Sequence, residues 1–140
     1  MWNSTAIMAK AIGEGLVESG VEYKILPMGA SHRSDVATEV LRSSAIIAGS
    51  PTLNNNVFPT IADVLTYIRG LRPINMIAAS FGSYGWGGEA VAHINDYFKS
   101  MNIETVGEGV KVKYVPVEAD LKSCFELGKT VGTVLKGRIK

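Results

Sequence analysis

The chain has 140 residues, 46% hydrophobic and 19% charged, with a formal net charge of +1. This size and composition predict one soluble globular domain over residues 1–140, and the near-neutral charge gives no reason to expect nucleic acid as a partner. No apolar run is long enough to span a bilayer, so no membrane partner is expected. Cys124 is the sole cysteine, which excludes an intrachain disulfide and fits a reducing cytoplasm. The two histidines, His32 and His93, lie far apart without a metal-ligand pattern, so no metal site is expected.

Helix and strand signals alternate from the start of the chain. Ser4 or Thr5 can cap a helix that Gly20 ends. Apolar residues recur along this helix at four-residue spacing, at Met8, Ile12 and Leu16. Val21–Leu26 follows, and its apolar and charged residues alternate as in a strand near a sheet edge.

The middle of the chain repeats this alternation with strands of a more buried type. A short helix over residues 34–42 precedes Ala45–Gly49, an unbroken apolar run typical of a strand covered on both faces. Pro59 suits the first turn of a helix over residues 59–70. Met76–Phe81 then reads as a second buried strand.

The last part of the chain continues the pattern. After a glycine-rich loop, one helical stripe carries Val91, Ile94, Phe98 and Met101. Strand segments Ile103–Val106 and Val110–Val115 precede a last helix, on which Gly128 suits close helix packing. Strands that alternate with helices predict an α/β three-layer sandwich with a parallel sheet. The pattern nevertheless opens with a helix, where a doubly wound sheet normally opens with a strand.

Ligands bind such sheets beyond the carboxyl ends of the strands, and three loops are expected there. The first is Trp2-Asn3-Ser4-Thr5, which leads into a helix. Free amides at a helix start, together with two hydroxyls, suit a phosphate monoester. A simple helix cap is the alternative.

The second loop is Ser50 to Asn56, directly after the most buried predicted strand. Pro51 is expected to end that strand because it removes a hydrogen-bond donor. Thr52 and the asparagines offer uncharged hydrogen-bonding groups, which suit a neutral heterocycle better than a metal or a phosphate. A polar turn without a ligand is the alternative.

The third loop runs from Phe81 to Gly88 and contains four glycines. Glycine lets the backbone approach a ligand closely, and Tyr84 and Trp86 can cover a planar ring. The alternative is that both aromatic side chains pack on the surface of the domain itself. Together the three loops describe a site for a phosphorylated planar cofactor. FMN fits better than a dinucleotide, because no G-x-G-x-x-G fingerprint follows a predicted strand.

These loops resemble those in the flavodoxin-like domain of the A-type flavoproteins, also called flavodiiron proteins. Met1–Thr5 is similar to the later part of a T-M-W-x-S-T phosphate loop, Ser50–Asn54 to an S-P-T-x-N loop, and Phe81–Gly87 to an F-G-S-Y-G-W loop. The resemblance covers essentially the whole chain. It implies a sheet in the order 2-1-3-4-5 and FMN bound non-covalently between the second and third loops.

The resemblance also assigns the cofactor contacts and leaves no catalytic side chain to assign. The residues expected to hold the phosphate are Trp2, Asn3, Ser4 and Thr5. Those expected on one side of the ring are Pro51, Thr52, Leu53, Asn54 and Asn55. Those expected on the other side are Ser83, Tyr84, Gly85, Trp86 and Gly87.

The family implies electron transfer from rubredoxin or a flavin reductase to a di-iron centre. A chain with two histidines cannot supply the di-iron ligands, so oxidoreductase activity is expected only together with a di-iron domain or a redox partner.

The family's first strand is also missing, which is expected of a fragment or of a start assigned at an internal methionine. The strand edges left open would favour association into a homo-oligomer. Two other functions stay open, an FMN-dependent NAD(P)H or quinone oxidoreductase and a cofactor-free interaction module.

Overall fold

Helices and strands alternate along the chain in the computed structural model, which describes residues 4–26, 33–53, 56–57, 59–71, 76–84, 89–107, 109–113 and 116–138. The helices are α1 (Ser4–Glu18), α2 (Arg33–Arg42), α3 (Pro59–Leu71), α4 (Glu89–Ser100) and α5 (Glu118–Arg138). The strands are β1 (Ala45–Leu53), β2 (Asn56–Val57), β3 (Ile77–Tyr84), β4 (Glu104–Thr105) and β5 (Val110–Lys113).

The sheet is built around β3. Strand β1 pairs with it in parallel from Ala45↔Ile77 to Pro51↔Ser83. On the other side of β3, β4 pairs in parallel with its first residues and β5 with its last four. The short β2 turns back and pairs antiparallel with the end of β1. This parallel core confirms the predicted α/β fold, and β1, β3 and the β4–β5 pair supply the last three positions of the predicted order 2-1-3-4-5.

The two faces of the sheet carry separate hydrophobic clusters because successive strand residues point to opposite faces. In β3, Ala78 packs with residues of α2, α3 and α4 on one face. Its neighbours Ile77 and Ala79 pack with residues of α1 and α5 on the other face. The described residues therefore form the three layers that the alternating pattern predicts.

Helices α1 and α5 pack closely and run in the same direction. A Cβ atom on Gly128 would meet the carbonyl group of Ile12, which confirms the close packing predicted there. Farther along, a Cβ on Gly132 would meet the Ser19 side chain. The two helices are therefore parallel. Since α5 starts shortly after β5 ends, both helices begin at the carboxyl edge of the sheet.

The strand predicted over Val21–Leu26 is wrong, because this segment belongs to no strand. A strand needs a neighbour that accepts its backbone hydrogen bonds, and no described segment pairs with these residues. The turn before it does follow the prediction, since Gly20 has a φ of +84° at the end of α1.

The two central strands are also longer than predicted. Strand β1 continues through Pro51 to Leu53, and β3 continues to Tyr84, so Pro51 does not end its strand. The N–H of Ile77 donates to the Ser44 carbonyl at 3.1 Å. Backbone direction alternates along a strand, so the nitrogen of residue 51 points away from β3, and proline costs no hydrogen bond with β3 there.

Candidate functional site

The ends of β1 and β3 lie side by side at the carboxyl edge of the sheet. Ser50 is the register partner of Gly82, and Pro51 is the partner of Ser83. The same edge continues into β5, where Lys113 pairs with Tyr84. The second and third loops predicted from the sequence therefore start from adjacent strands, as a shared binding site requires.

Gly82 allows these two strands and α4 to approach each other. A Cβ atom at this position would lie 2.5 Å from the carbonyl oxygen of Ser50 and 3.2 Å from Cγ2 of Val91. The first distance is far below van der Waals contact with a backbone atom that cannot easily move. Any side chain at Gly82 would therefore push apart the strands from which the two loops start.

A polar contact joins β3 to α4 on the same face of the sheet, two residues before Gly82. The Ser80 hydroxyl donates to Oδ1 of Asn95 in α4 at 2.7 Å. Gly109, with a φ of +99°, lies so close that a Cβ there would be 2.5 Å from the Ser80 oxygen. Asn95 of α4 and Gly109, which directly precedes β5, therefore both lie against Ser80 of β3. Sequence reasoning missed this contact, although a serine inside the apolar run Met76–Phe81 was a signal.

The buried polar side chains that the structure describes near this edge are neutral. Ser50, Ser80 and Ser83 are all buried. Within the described ranges, no group of three or more His, Cys, Asp or Glu residues could hold a metal ion. Nδ1 of His93, in α4, has no hydrogen-bond partner among the described residues. The buried part of the described edge therefore offers neutral hydrogen bonding and close backbone approach.

The start of α1 differs from the start of α5, although both lie at this edge. The first turn of α5 holds Glu118 and Asp120, and Oδ2 of Asp120 accepts a hydrogen bond from the Val117 N–H at 3.0 Å. The first turn of α1 holds no acidic residue. The partial positive charge at the start of α1 is therefore not offset by its own carboxylates, which suits an anion such as a phosphate.

The structure describes the predicted cofactor contacts only in part. Ser83 is a buried residue of β3, and it adjoins the end of β1 through its pairing with Pro51. The backbone alone is described at Ser4, Thr5, Pro51, Thr52, Leu53 and Tyr84, and it places them at the start of α1 and the ends of β1 and β3. Outside the described residues lie Trp2, Asn3, Asn54, Asn55, Gly85, Trp86 and Gly87.

Cys124 takes no part in this edge. It is buried in the cluster between α1, α5 and the sheet. Burial, and secondarily the charge of Asp120, raises the pKa of its thiol from 9.0 to about 11. The thiol is therefore protonated near neutral pH and packs as an apolar side chain.

Comparison with known proteins identifies the family to which the chain belongs. The family model described as flavodoxin matches residues 1–128. The chain belongs to the flavodoxin family. Proteins of this family and flavodiiron proteins bind FMN. Among the described helices, none is long and apolar enough to cross a membrane.

Several similar proteins belong to one group of reductases. The chain is 42% identical over 132 residues to a nitric oxide reductase of Moorella thermoacetica, covering 94% of this chain and 33% of the relative. It superposes on rubredoxin oxygen:oxidoreductase of Desulfovibrio gigas with a TM-score of 0.96 and 37% identity, over 99% of this chain and 35% of the other. An archaeal flavodoxin matches with a TM-score of 0.88 and 25% identity, over 97% of this chain and 93% of the other.

The chain thus spans about a third of the length of these reductases. It corresponds to their flavodoxin-like part, as the resemblance of the three loops implied. The comparison with the archaeal flavodoxin shows that the same fold also makes up nearly all of a shorter protein.

Proposed function

We propose that this chain binds FMN at the carboxyl edge of its sheet and transfers electrons through it. The observation that supports this most directly is the register of the sheet, which brings the starts of two predicted ring-binding loops together at Pro51↔Ser83. The start of α1, without acidic residues, lies at the same edge and suits the cofactor's phosphate.

Three groups of residues hold the cofactor. Ser4, Thr5 and the amides of Trp2 and Asn3 bind the phosphate. Pro51, Thr52, Leu53, Asn54 and Asn55 line one side of the ring. Ser83, Tyr84, Gly85, Trp86 and Gly87 form the other side. Bound FMN supplies one- and two-electron redox chemistry, and the chain orients the ring and sets its polar surroundings.

The similar proteins support a proposal about the redox partners. The name of one relative, rubredoxin-oxygen oxidoreductase, states the donor of that protein. We propose that rubredoxin or a flavin reductase reduces this chain, and that a di-iron domain accepts the electrons. This exchange takes place in a reducing cytoplasm, which the lone Cys124 fits.

The visible spectrum of the purified protein, with and without added FMN, tests the proposal. We expect a yellow protein, or one that becomes yellow with FMN and stays so after gel filtration. Heat release of the flavin and chromatography then identify it. Recovery of mainly FAD, or a protein that stays colourless with excess FMN, would contradict the proposal.

A charge placed at the start of α1 tests the phosphate site. Thr5→Glu should weaken FMN binding by roughly tenfold, since a carboxylate there repels the phosphate and occupies the helix dipole. The matched control is Val17→Glu, because Val17 is an exposed residue at the other end of the same helix. Equal dissociation constants for the two variants in a fluorescence titration would place the phosphate elsewhere.

Removal of an aromatic ring tests the ring site. Trp86→Ala should weaken FMN binding by about 1–3 kcal/mol, since aromatic contact and buried area are both lost. Tyr67→Ala is the control, because Tyr67 is a partly exposed aromatic residue on α3. An unchanged dissociation constant for Trp86→Ala would show that this side chain packs on the surface instead.

A further inference from the structure

Helix α4 rests on β3 through two successive turns. The Ser80 hydroxyl of β3 donates to Oδ1 of Asn95 at 2.7 Å. One turn earlier in α4, Cγ2 of Val91 lies 3.2 Å from the position that a Cβ on Gly82 would take. Residues four apart lie on the same face of a helix, so Val91 and Asn95 face the sheet together. Because the two contacts occur in opposite order along the two elements, α4 runs antiparallel to β3.

The two contacts restrain different motions of α4. Val91 packs on the bare backbone of Gly82, and apolar packing has no preferred direction. It therefore limits how closely α4 approaches the sheet more than how far α4 slides along β3. A hydrogen bond requires a short distance and a favourable angle. The bond from Ser80 to Asn95 thus also fixes the position of α4 along the strand.

The surroundings of the Ser80 hydroxyl favour this one bond. Ser80 is 0% exposed, so bulk water does not compete with Asn95 for its proton. Gly109 closes the space beside it, because a Cβ on that glycine would lie 2.5 Å from the Ser80 hydroxyl oxygen and 2.6 Å from Cγ1 of Val91. A buried hydroxyl that loses its acceptor is costly. The contact therefore resists displacement of α4 in either direction along β3.

The position of α4 determines where the third loop must end. Strand β3 ends at Tyr84 and α4 begins at Glu89, so residues 85–88 connect them. Five Cα–Cα steps separate the two ends and span at most about 18 Å. The first end is held by the pairing of Ser83 with Pro51. The second end is held by the packing of α4 on β3, to which the bond from Ser80 to Asn95 contributes.

We propose that Ser80 and Asn95 are positioning residues, whose hydrogen bond sets the start of α4 and thereby holds the third loop against the flavin ring. This inference rests on the proposed binding of FMN at the carboxyl edge. The two residues act through the backbone of β3 and α4 rather than by contact with FMN. Their effect therefore falls on the ring site and not on the phosphate site at the start of α1.

Two variants remove the bond in different ways. Asn95→Ala leaves the buried Ser80 hydroxyl without this acceptor, whereas Ser80→Ala leaves a half-buried amide that water can reach. Asn95→Ala should therefore lose more stability in urea denaturation. If the bond acts by position, each single variant and the double variant should raise the FMN dissociation constant by the same factor, about tenfold. A role in stability alone would make the loss of affinity follow the loss of stability.

Two further variants identify the hydrogen bond as the cause. Asn95→Asp keeps the acceptor oxygen and should restore most of the FMN affinity. Thr66→Val is the matched control, because Thr66 of α3 forms a hydrogen bond with Tyr97 of the same helix α4 at 3.3 Å, without contacting β3. Its FMN affinity should not change. The visible circular dichroism of each protein saturated with FMN reports the surroundings of the ring, and it should change only where the bond from Ser80 to Asn95 is lost.

The outcomes separate this inference from the proposed function. If the unchanged chain binds FMN but Ser80→Ala has the same affinity and spectrum, the inference is overturned and the proposed function stands. Losses that add in the double variant, or an equal loss in Thr66→Val, would also overturn it. If Ser80→Ala does not fold, tighter binding by Asn95→Asp than by Asn95→Ala supports the inference, and equal binding overturns it. An unchanged chain that binds no FMN would overturn both.

Discussion

The two edges of β1 contrast within a single strand. One edge pairs with β3 over seven residues, and Gly82 lets the two backbones and α4 come together. The other edge faces a groove of about 800 Å³ along residues 45–49. The proposed ring site stands on the closed edge, whereas α1, which carries the proposed phosphate site, forms a wall of the open one. The two ends of the proposed cofactor site thus have different structural support.

Gly82→Ala should break the closed edge and have the largest effect on stability. The added Cβ would lie 2.5 Å from the Ser50 carbonyl oxygen, so the two central strands must separate. We expect a loss of about 3 kcal/mol in the free energy of unfolding, measured by urea denaturation.

Gly70→Ala is the control for this change, because a Cβ at Gly70 meets nothing within 4 Å. In a helix this substitution should raise stability by about 0.5–1 kcal/mol. A Gly82→Ala protein as stable as the unchanged chain would mean that β1 and β3 are not in close contact.

Cys124 tests how well the hydrophobic cluster between α1, α5 and the sheet excludes water. Its thiol pKa is raised from 9.0 to about 11 in the folded state. The thiol ionises at lower pH in the unfolded chain than in the folded protein. The free energy of unfolding is therefore unaffected below pH 9 and falls by roughly 2–3 kcal/mol as pH rises to 11. Other groups titrate in this range, so the comparison is with Cys124→Ala, which should lack this part of the alkaline loss. Parallel stability curves for the two proteins between pH 8.5 and 11 would show that the thiol is hydrated.

Gly128→Ala tests the packing that holds α1 in place as the wall of the groove. The new Cβ would collide with the Ile12 carbonyl, but two helices can move apart more easily than two paired strands. We expect a loss of about 2 kcal/mol in urea denaturation. Gly137→Ala, in the same helix with nothing within 4 Å of its Cβ, should not destabilise the protein. Similar stabilities for the two variants would contradict the close packing of α1 and α5.

Local pattern predicted much of this fold, because helix periodicity and capping depend on neighbouring residues. The helix starting at Pro59 and the turn at Gly20 are confirmed for that reason. Whether Val21–Leu26 joins a sheet depends instead on a distant partner. The effect of Pro51 likewise depends on which way its nitrogen points relative to β3.

The site was predictable to the extent that loops after parallel strands share one edge. Its supporting contacts were not, because Gly82 and Gly109 are required by atoms distant in sequence, at Ser50 and Ser80. A glycine-rich sequence indicates that the backbone can approach other groups closely, whereas the structure shows which groups these are.

The ion pair between Lys24 and Glu39 should contribute least to stability, although it joins the segment Val21–Leu26 to α2. Its atoms lie 3.0 Å apart, but the Lys24 side chain is 63% exposed and that of Glu39 is 30% exposed. Water screens such a pair, and ordering two long side chains costs entropy. Lys24→Ala, Glu39→Ala and the double variant form a thermodynamic cycle, for which we expect a coupling free energy within about 0.5 kcal/mol. A coupling above about 1 kcal/mol would mean that charge is the main interaction that holds the segment Val21–Leu26 to α2.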